Sequence, residues 1–256
     1  MRVQNRKFVL LILILLNAAC SNMNKVRIEK KVIDGKNILI KQIFDENNKL
    51  DEEYTMNMDS VFYGRYSKFY PDGKLQTTGF YTDAEKDSTW IYYFRNGNIR
   101  EQQNWFIHNR FGEQKLYYEN GVIRSFEFLN LSGGRLFLVN YDSTGQIVKW
   151  EGAPIYIAYN SSSLKAGDEF QMYCFVGGPE GVSFKVRVQE NKEEVPNKIS
   201  SKEYSMEEIH NLPYAKKVSL EKRYKEKGRY LVTIIVDYYN DKINRSDSSS
   251  IDLSID

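Results

Sequence analysis

At 256 residues the chain can form one or two domains and bury a substantial core. Aromatic residues make up 14% of it, with 19 Tyr and 14 Phe against 5 Pro, a bias that suits pleated, half-buried strands and predicts an all-β protein. The formal charge is +2, but setting aside Arg2, Arg6 and Lys7 leaves 33 basic against 34 acidic residues. That balance argues against a nucleic-acid partner, which requires a clustered basic surface.

Residues 1–20 run from a basic start through the apolar stretch Phe8–Leu16 to the small-residue end Asn17-Ala18-Ala19-Cys20. The apolar stretch is far shorter than the ~20 residues of a membrane span, so residues 1–19 read as a secretory signal. Its end resembles the bacterial lipoprotein signal, with Ala18, Ala19 and Cys20 in place and Asn17 where an aliphatic residue is usual. The resemblance implies acylation of Cys20 and membrane attachment through it; ordinary cleavage near Ala19 is the other reading. Ser21-Asn22 lacks the acidic residue of an inner-membrane retention signal, which favours the outer membrane. With Cys20 acylated, Cys174 has no partner for a disulfide. It shares strand parity with Phe170, Met172 and Val176, as a buried, inert thiol would.

Residues 20–43 comprise a short polar tether and a hairpin. Val26–Lys30 and Asn37–Ile43 flank Asp34-Gly35, a two-residue turn signal.

A repeat occupies residues 44–151. Phe69-Tyr70-Pro71-Asp72-Gly73-Lys74-Leu75 recurs every 24 residues, with Gly97, Gly121 and Gly145 in the place of Gly73. Phe44–Leu50 is a weaker copy in which Asn48, tolerant of the left-handed conformation, replaces the glycine. Asp72-Gly73, Asn96-Gly97 and Asn120-Gly121 suit a two-residue type I′ loop, which would pair Tyr70 with Leu75, Phe94 with Ile99 and Tyr118 with Ile123. A longer loop would shift each pairing by one residue and exchange the faces.

The pattern resembles the MORN-repeat-variant family, short hairpin repeats, some of whose members are labelled antitoxin-like and many of which are exported lipoproteins. Gly64, Tyr66, Phe69-Tyr70 and Asp72-Gly73 carry the resemblance, as do Trp90, Tyr92-Tyr93 and Asn96-Gly97, and then Gly112, Tyr117-Tyr118 and Asn120-Gly121. Ser88 stands where a leading glycine is expected, and Gln114 where an aromatic is. The resemblance implies an array of stacked antiparallel β-hairpins in one long sheet.

The 24-residue step ends near Glu151-Gly152-Ala153-Pro154, and residues 152–256 read as an Ig-like β-sandwich. Strands are expected at Pro154–Tyr159, Glu169–Val176, Val182–Gln189 and Gly228–Val236, with a turn at Lys165–Asp168 and a break at Gly177-Gly178-Pro179. Gly228-Arg229-Tyr230 resembles the tyrosine corner of Ig-like domains. The capping box Ser205-Met206-Glu207-Glu208 predicts a short helix from Met206 to before Pro213. The basic run Lys216-Lys217 to Arg223-Tyr224-Lys225, interleaved with Glu221 and Glu226, reads as a solvated edge.

Groups for catalysis are sparse. His108 falls in a loop between repeats, and His210 would share a helix face with Glu207, two ligands where a metal needs more. Asp45-Glu46 with Asp51-Glu52-Glu53 lacks the spacing of a calcium loop, and no catalytic or phosphate-binding motif occurs. The expectation is therefore a non-enzyme with no cofactor and no metal: a lipid-anchored envelope lipoprotein that scaffolds another envelope protein through its hairpin sheet. The alternative is a surface lipoprotein that binds a glycan. Either ligand would use the recurrent row Phe69, Tyr93, Tyr117 and Tyr141, four residues before each glycine.

Overall fold

A computed structural model describes residues 25–33, 35–106, 108–179, 181–193, 199–204, 210–212, 215–241 and 243–256. The leader, Cys20 and the capping box at Ser205 lie outside them. The described residues are all-β, as the composition predicts, and fall into two compact units. The first runs to His108 and includes Tyr117–Val122; the second comprises Asn109–Leu116 and Ile123–Asp256.

The hairpin strands are β1 (Lys25–Ile33), β2 (Lys36–Phe44), β3 (Leu50–Met56), β4 (Phe62–Phe69), β5 (Leu75–Thr82), β6 (Glu85–Tyr93), β7 (Ile99–Phe106), β8 (Asn109–Arg110), β9 (Gly112–Tyr117), β10 (Ile123–Leu129), β11 (Arg135–Tyr141) and β12 (Ile147–Gly152). In the first unit β1 to β7 pair antiparallel in chain order, and in the second β9 to β12 do the same. The opening hairpin has the two-residue loop that Asp34-Gly35 predicts, since Ile33 faces Lys36.

The glycine turns are one residue longer than a type I′ loop. Tyr70 N–H donates to Lys74 O and Gly73 N–H to Tyr70 O, both at 2.8 Å, which makes a three-residue loop with Gly73 left-handed at φ 84°. The same pair of bonds closes the turns at Asp45–Lys49, Phe94–Asn98, Tyr118–Val122 and Asp142–Gln146. Phe69 therefore faces Leu75, Tyr93 faces Ile99 and Tyr141 faces Ile147, correcting the pairing of Tyr70 and Phe94 with those aliphatics. Asn48, at φ 59°, takes the glycine's part in the weak copy. Beside each of these paired rows the register slips by one residue, a bulge that increases local twist.

Successive turns are tied by a ladder of side chain to backbone bonds. At three turns the residue after the turn glycine, or after its substitute Asn48, donates to the carbonyl two before the next one. Lys49 Nζ reaches Pro71 O at 2.7 Å, Lys74 Nζ reaches Arg95 O at 3.1 Å, and Asn98 Nδ2 reaches Glu119 O at 2.9 Å. The acidic residues near these turns are also engaged: Asp45 Oδ1 accepts from Asn47 and Lys49 N–H, and Glu52 pairs with Lys68 at 2.8 Å.

A second left-handed position recurs at the 24-residue step, at Gly64 (φ 106°), Ser88 (φ 57°) and Gly112 (φ 68°). An exposed serine is strained there and glycine is not. Ser88→Gly is expected to raise stability by about 0.5–1 kcal/mol, read as a higher urea midpoint at unchanged slope.

The second unit continues with β13 (Ile155–Tyr159), β14 (Ser163–Leu164), β15 (Glu169–Val176), β16 (Ser183–Lys192), β17 (Ile199–Tyr204), β18 (His210–Leu212), β19 (Ala215–Arg223), β20 (Gly228–Tyr239) and β21 (Asn244–Ile255). They form a four-stranded sheet, β13-β15-β19-β18, and a five-stranded sheet, β14-β21-β20-β16-β17. Strict alternation builds their shared core from Phe170, Met172, Cys174 and Val176 of β15, Val186 and Val188 of β16, and Val232, Ile234, Val236 and Tyr238 of β20. Tyr230 Oη donates to Glu226 O at 2.9 Å, four residues upstream, the bond a tyrosine corner makes.

Two expectations are corrected in this region. His210–Leu212 is a strand paired with Lys217–Ala215, so His210 does not end a helix. The basic run begins in β19, where Lys216 and Lys217 lie between β15 and β18 beside the buried Ala215 and Val218, so that its first two lysines are not on an edge; from Val218 to Arg223 the strand pairs with β15 alone. Its lysines place their stems on the sheet: Lys217 Nζ sits 4.1 Å from the Tyr173 ring centroid and Lys216 Nζ 4.4 Å from that of Phe184.

Cys174 is fully buried, and burial pushes its thiol up to about 12. A chain beginning at Ser21 is expected to resist a thiol-specific reagent at pH 8 while folded and to react stoichiometrically in urea; rapid labelling of the native protein would refute the closed core.

Candidate interaction surface

The first unit carries an aromatic face on β3 to β7. Across the strands the register aligns Glu52, Lys68, Thr77, Tyr92 and Glu101 in one row, and Tyr54, Tyr66 and Gly79, then Trp90 and Gln103, in the next. Glycine at 79 leaves space that the Trp90 indole fills, and Trp90 is only 2% exposed. The indole stacks on Tyr66 at 5.3 Å, meets Tyr81 edge-on at 5.0 Å and donates Nε1–H to Phe80 O at 3.0 Å. Tyr66 in turn stacks on Tyr54 at 5.6 Å, and Phe62 lies 5.1 Å from Tyr54. Met56 and Trp90 are the only fully buried large apolar side chains described in this unit, so the other rings are left half-exposed.

The polar members of the face are bonded to one another. Lys86 Nζ lies 4.2 Å from the Trp90 ring centroid and 5.2 Å from that of Trp105, and donates to Tyr92 Oη at 2.8 Å. Burial there lowers the Lys86 ammonium below the usual lysine range. Gln103 accepts from Trp105 Nε1 and Tyr92 Oη, both at 3.2 Å, and donates to Glu101 at 2.6 Å. Lys68 is raised chiefly by its bond to Glu52, which also accepts from Tyr54 Oη. Burial, reinforced by Glu52, pushes the Tyr54 and Tyr66 phenols up. The result is a ring-lined surface with fixed donors and acceptors, the mixture that interfaces favour.

The recurrent row maps elsewhere. By strand alternation Phe69 and Tyr93 point to the face opposite this one, each half-buried. Tyr117 is half-buried too, whereas Tyr141, in the second unit, is 7% exposed in a cluster with Phe126, Phe137 and Val139. Cys20 lies outside the described residues. His108, at φ 66° in its loop, pairs with Glu85. Among the described residues no group of three or more His, Cys, Asp or Glu side chains is placed to hold a metal. The aromatic face was recognisable in part, because Tyr66, Trp90 and Gln114 occupy one repeat position and Tyr81 and Trp105 another, each 24 residues apart; Tyr54 carries no such period.

Residues 62–83, 86–105 and 112–125 match the MORN repeat variant. The matched segments are similar to MORN-variant hairpins. The first two matched segments are the β4–β5 and β6–β7 hairpins, and Tyr66 and Trp90 hold the same place in each, so the aromatic face is built by the repeats themselves. No curated protein matches the chain. Among the described residues no helix is long and apolar enough to cross a membrane.

Proposed function

We propose that the chain is an exported, lipid-anchored, non-catalytic scaffold, with an Ig-like sandwich after its repeats, that binds another protein of the cell envelope. The observation that carries this reading is the half-exposed face of Tyr54, Tyr66, Tyr81, Tyr92 and Trp105 around Trp90. A single hairpin layer cannot bury both its faces, and rings held with few rotatable bonds are favoured contacts for a partner. The leader with Cys20 supports the address, an outer membrane in preference to an inner one.

The test is affinity capture of the mature lipoprotein from an envelope extract, beside a Trp105→Ala, Lys86→Glu variant with the wild-type circular dichroism spectrum. A stoichiometric partner held by the wild type and lost by the variant is expected; recovery of lipid and free protein alone would sink the proposal. Palmitate labelling of wild type against Cys20→Ala tests the anchor separately.

A polysaccharide ligand is the second reading, favoured by the interleaving of rings with Lys68, Glu52, Gln103 and Glu101, since sugars stack on aromatics and hydrogen-bond around them. It predicts weak binding to a glycan array. Loss of binding in Tyr93→Ala, Tyr117→Ala would assign it to the recurrent row, and loss in Trp105→Ala to the ladder face.

A further inference from the structure

The charge of the chain is unevenly placed. Residues 25–44 hold six basic residues, Lys25, Arg27, Lys30, Lys31, Lys36 and Lys41, against Glu29 and Asp34, a net +4. The 212 residues that follow hold 27 basic and 32 acidic residues, a net of −5. The same hairpin exposes the densest set of aliphatic side chains in the first unit: Val26 at 45%, Ile28 at 46%, Val32 at 66% and Ile33 at 49%. One face combines the two properties. The register sets Val26 opposite Ile43, Ile28 opposite Lys41, Lys30 opposite Leu39 and Val32 opposite Asn37, so five aliphatics and two lysines share it, and the hairpin itself adds no carboxylate there; the first on that face is Glu52 of β3, beside Ile43.

We propose that the β1–β2 hairpin is a membrane-contact element that lies on an anionic phospholipid surface. The aliphatics enter the headgroup boundary while Lys30 and Lys41 extend their ammonium groups to phosphate, and Lys25, Arg27, Lys31 and Lys36 add long-range attraction from the other face. Covalent reach agrees. Four residues separate Cys20 from Lys25, so a lipid on Cys20 would hold the hairpin within about 18 Å of the bilayer. That proximity rests on the lipid-anchor reading; the affinity of the hairpin for lipid does not. A second copy pairing with β1 is the competing occupant, and it is disfavoured by the cations spaced along this edge, which repel another such strand.

The experiment uses the chain from Ser21 to Asp256, which lacks any acyl group and keeps every described residue. It is mixed with vesicles of phosphatidylglycerol and phosphatidylethanolamine, or of phosphatidylcholine alone, and co-sedimented. Binding to the anionic vesicles only is expected, falling at least about tenfold when salt is raised from about 0.05 to 0.5 M. Lys30→Gln and Lys41→Gln should each weaken it about fivefold, and Ile28→Ser with Val32→Ser should weaken it further without changing the salt slope. Val32→Trp, at the most exposed of the four aliphatics, should give indole emission that shifts to the blue on anionic vesicles, a readout that needs no loss of binding. Equal binding to both vesicle types, no binding, or a dimer formed through β1 in its place would overturn the proposal. Absence of palmitate on Cys20 would refute the anchor and leave the vesicle result standing.

Discussion

Gly79→Ala is expected to destabilise the first unit by about 3 kcal/mol or more. A methyl group at this position would sit 2.3 Å from Trp90 Cδ2 and 2.5 Å from Cε2, far inside van der Waals contact. The indole has nowhere to move, because Tyr66 stacks on it, Tyr81 abuts it and Phe80 O holds its Nε1. Trp90→Ala should cost a similar amount, about 3–5 kcal/mol, by emptying the same site. The decisive measurement is the double variant. Once the indole is gone, the added methyl has no clash and replaces a flexible strand glycine, so Gly79→Ala should become neutral or mildly stabilising in the Trp90→Ala background. Urea unfolding followed by circular dichroism reads all three; additive losses would show that Gly79 and Trp90 are not a matched pair.

The repeat was visible in the sequence because its period and its turn glycines are local features. So were the strand limits of β15 and the start of β20 at Gly228, where alternation and a Gly-x-Tyr start suffice. The loop length was not readable, since Asp72-Gly73 serves a two-residue loop and a three-residue loop equally well. Only the bond from Tyr70 N–H to Lys74 O distinguishes them. That single residue decides the face on which Phe69 falls, and with it which aromatics form the candidate surface. The ladder of Tyr54, Tyr66, Tyr81 and Trp90 depends on cross-strand register and on the bulge near Gly79, which are tertiary facts. His210 failed for a related reason, because pairing with β19 outweighs a local helix signal. The edge reading of the basic run failed at Lys216 and Lys217, because lysine stems can lie over rings inside a sheet, a placement that charge counting misses.

Gly152→Ala should be the most damaging single-methyl change in the second unit, at about 4 kcal/mol or more. Two costs coincide there. The residue is left-handed at φ 77°, and its added Cβ would lie 2.0 Å from Leu136 O and 3.1 Å from Leu136 C. Unlike the Trp90 ring, this obstacle is main chain, and β11 cannot retreat because Phe137 and Val139 beside it are buried. Gly152 also faces Phe137 in the β11–β12 ladder, and its carbonyl accepts from Arg245 Nη2 at 3.3 Å. Displacing it disturbs the Trp150 ring, 5.0 Å from Phe137 and 6.4 Å from Tyr238 of the sandwich core. Gly167→Ala supplies the control, since Gly167 is equally left-handed at φ 94° but has nothing within 4 Å of the new methyl. It should lose only about 1 kcal/mol, the conformational part alone. Cys174 reports both, as its thiol is closed within the same unit. Labelling of Cys174 should begin at far lower urea in Gly152→Ala than in Gly167→Ala; equal protection in the two variants would mean that β12 opens without disturbing the sandwich.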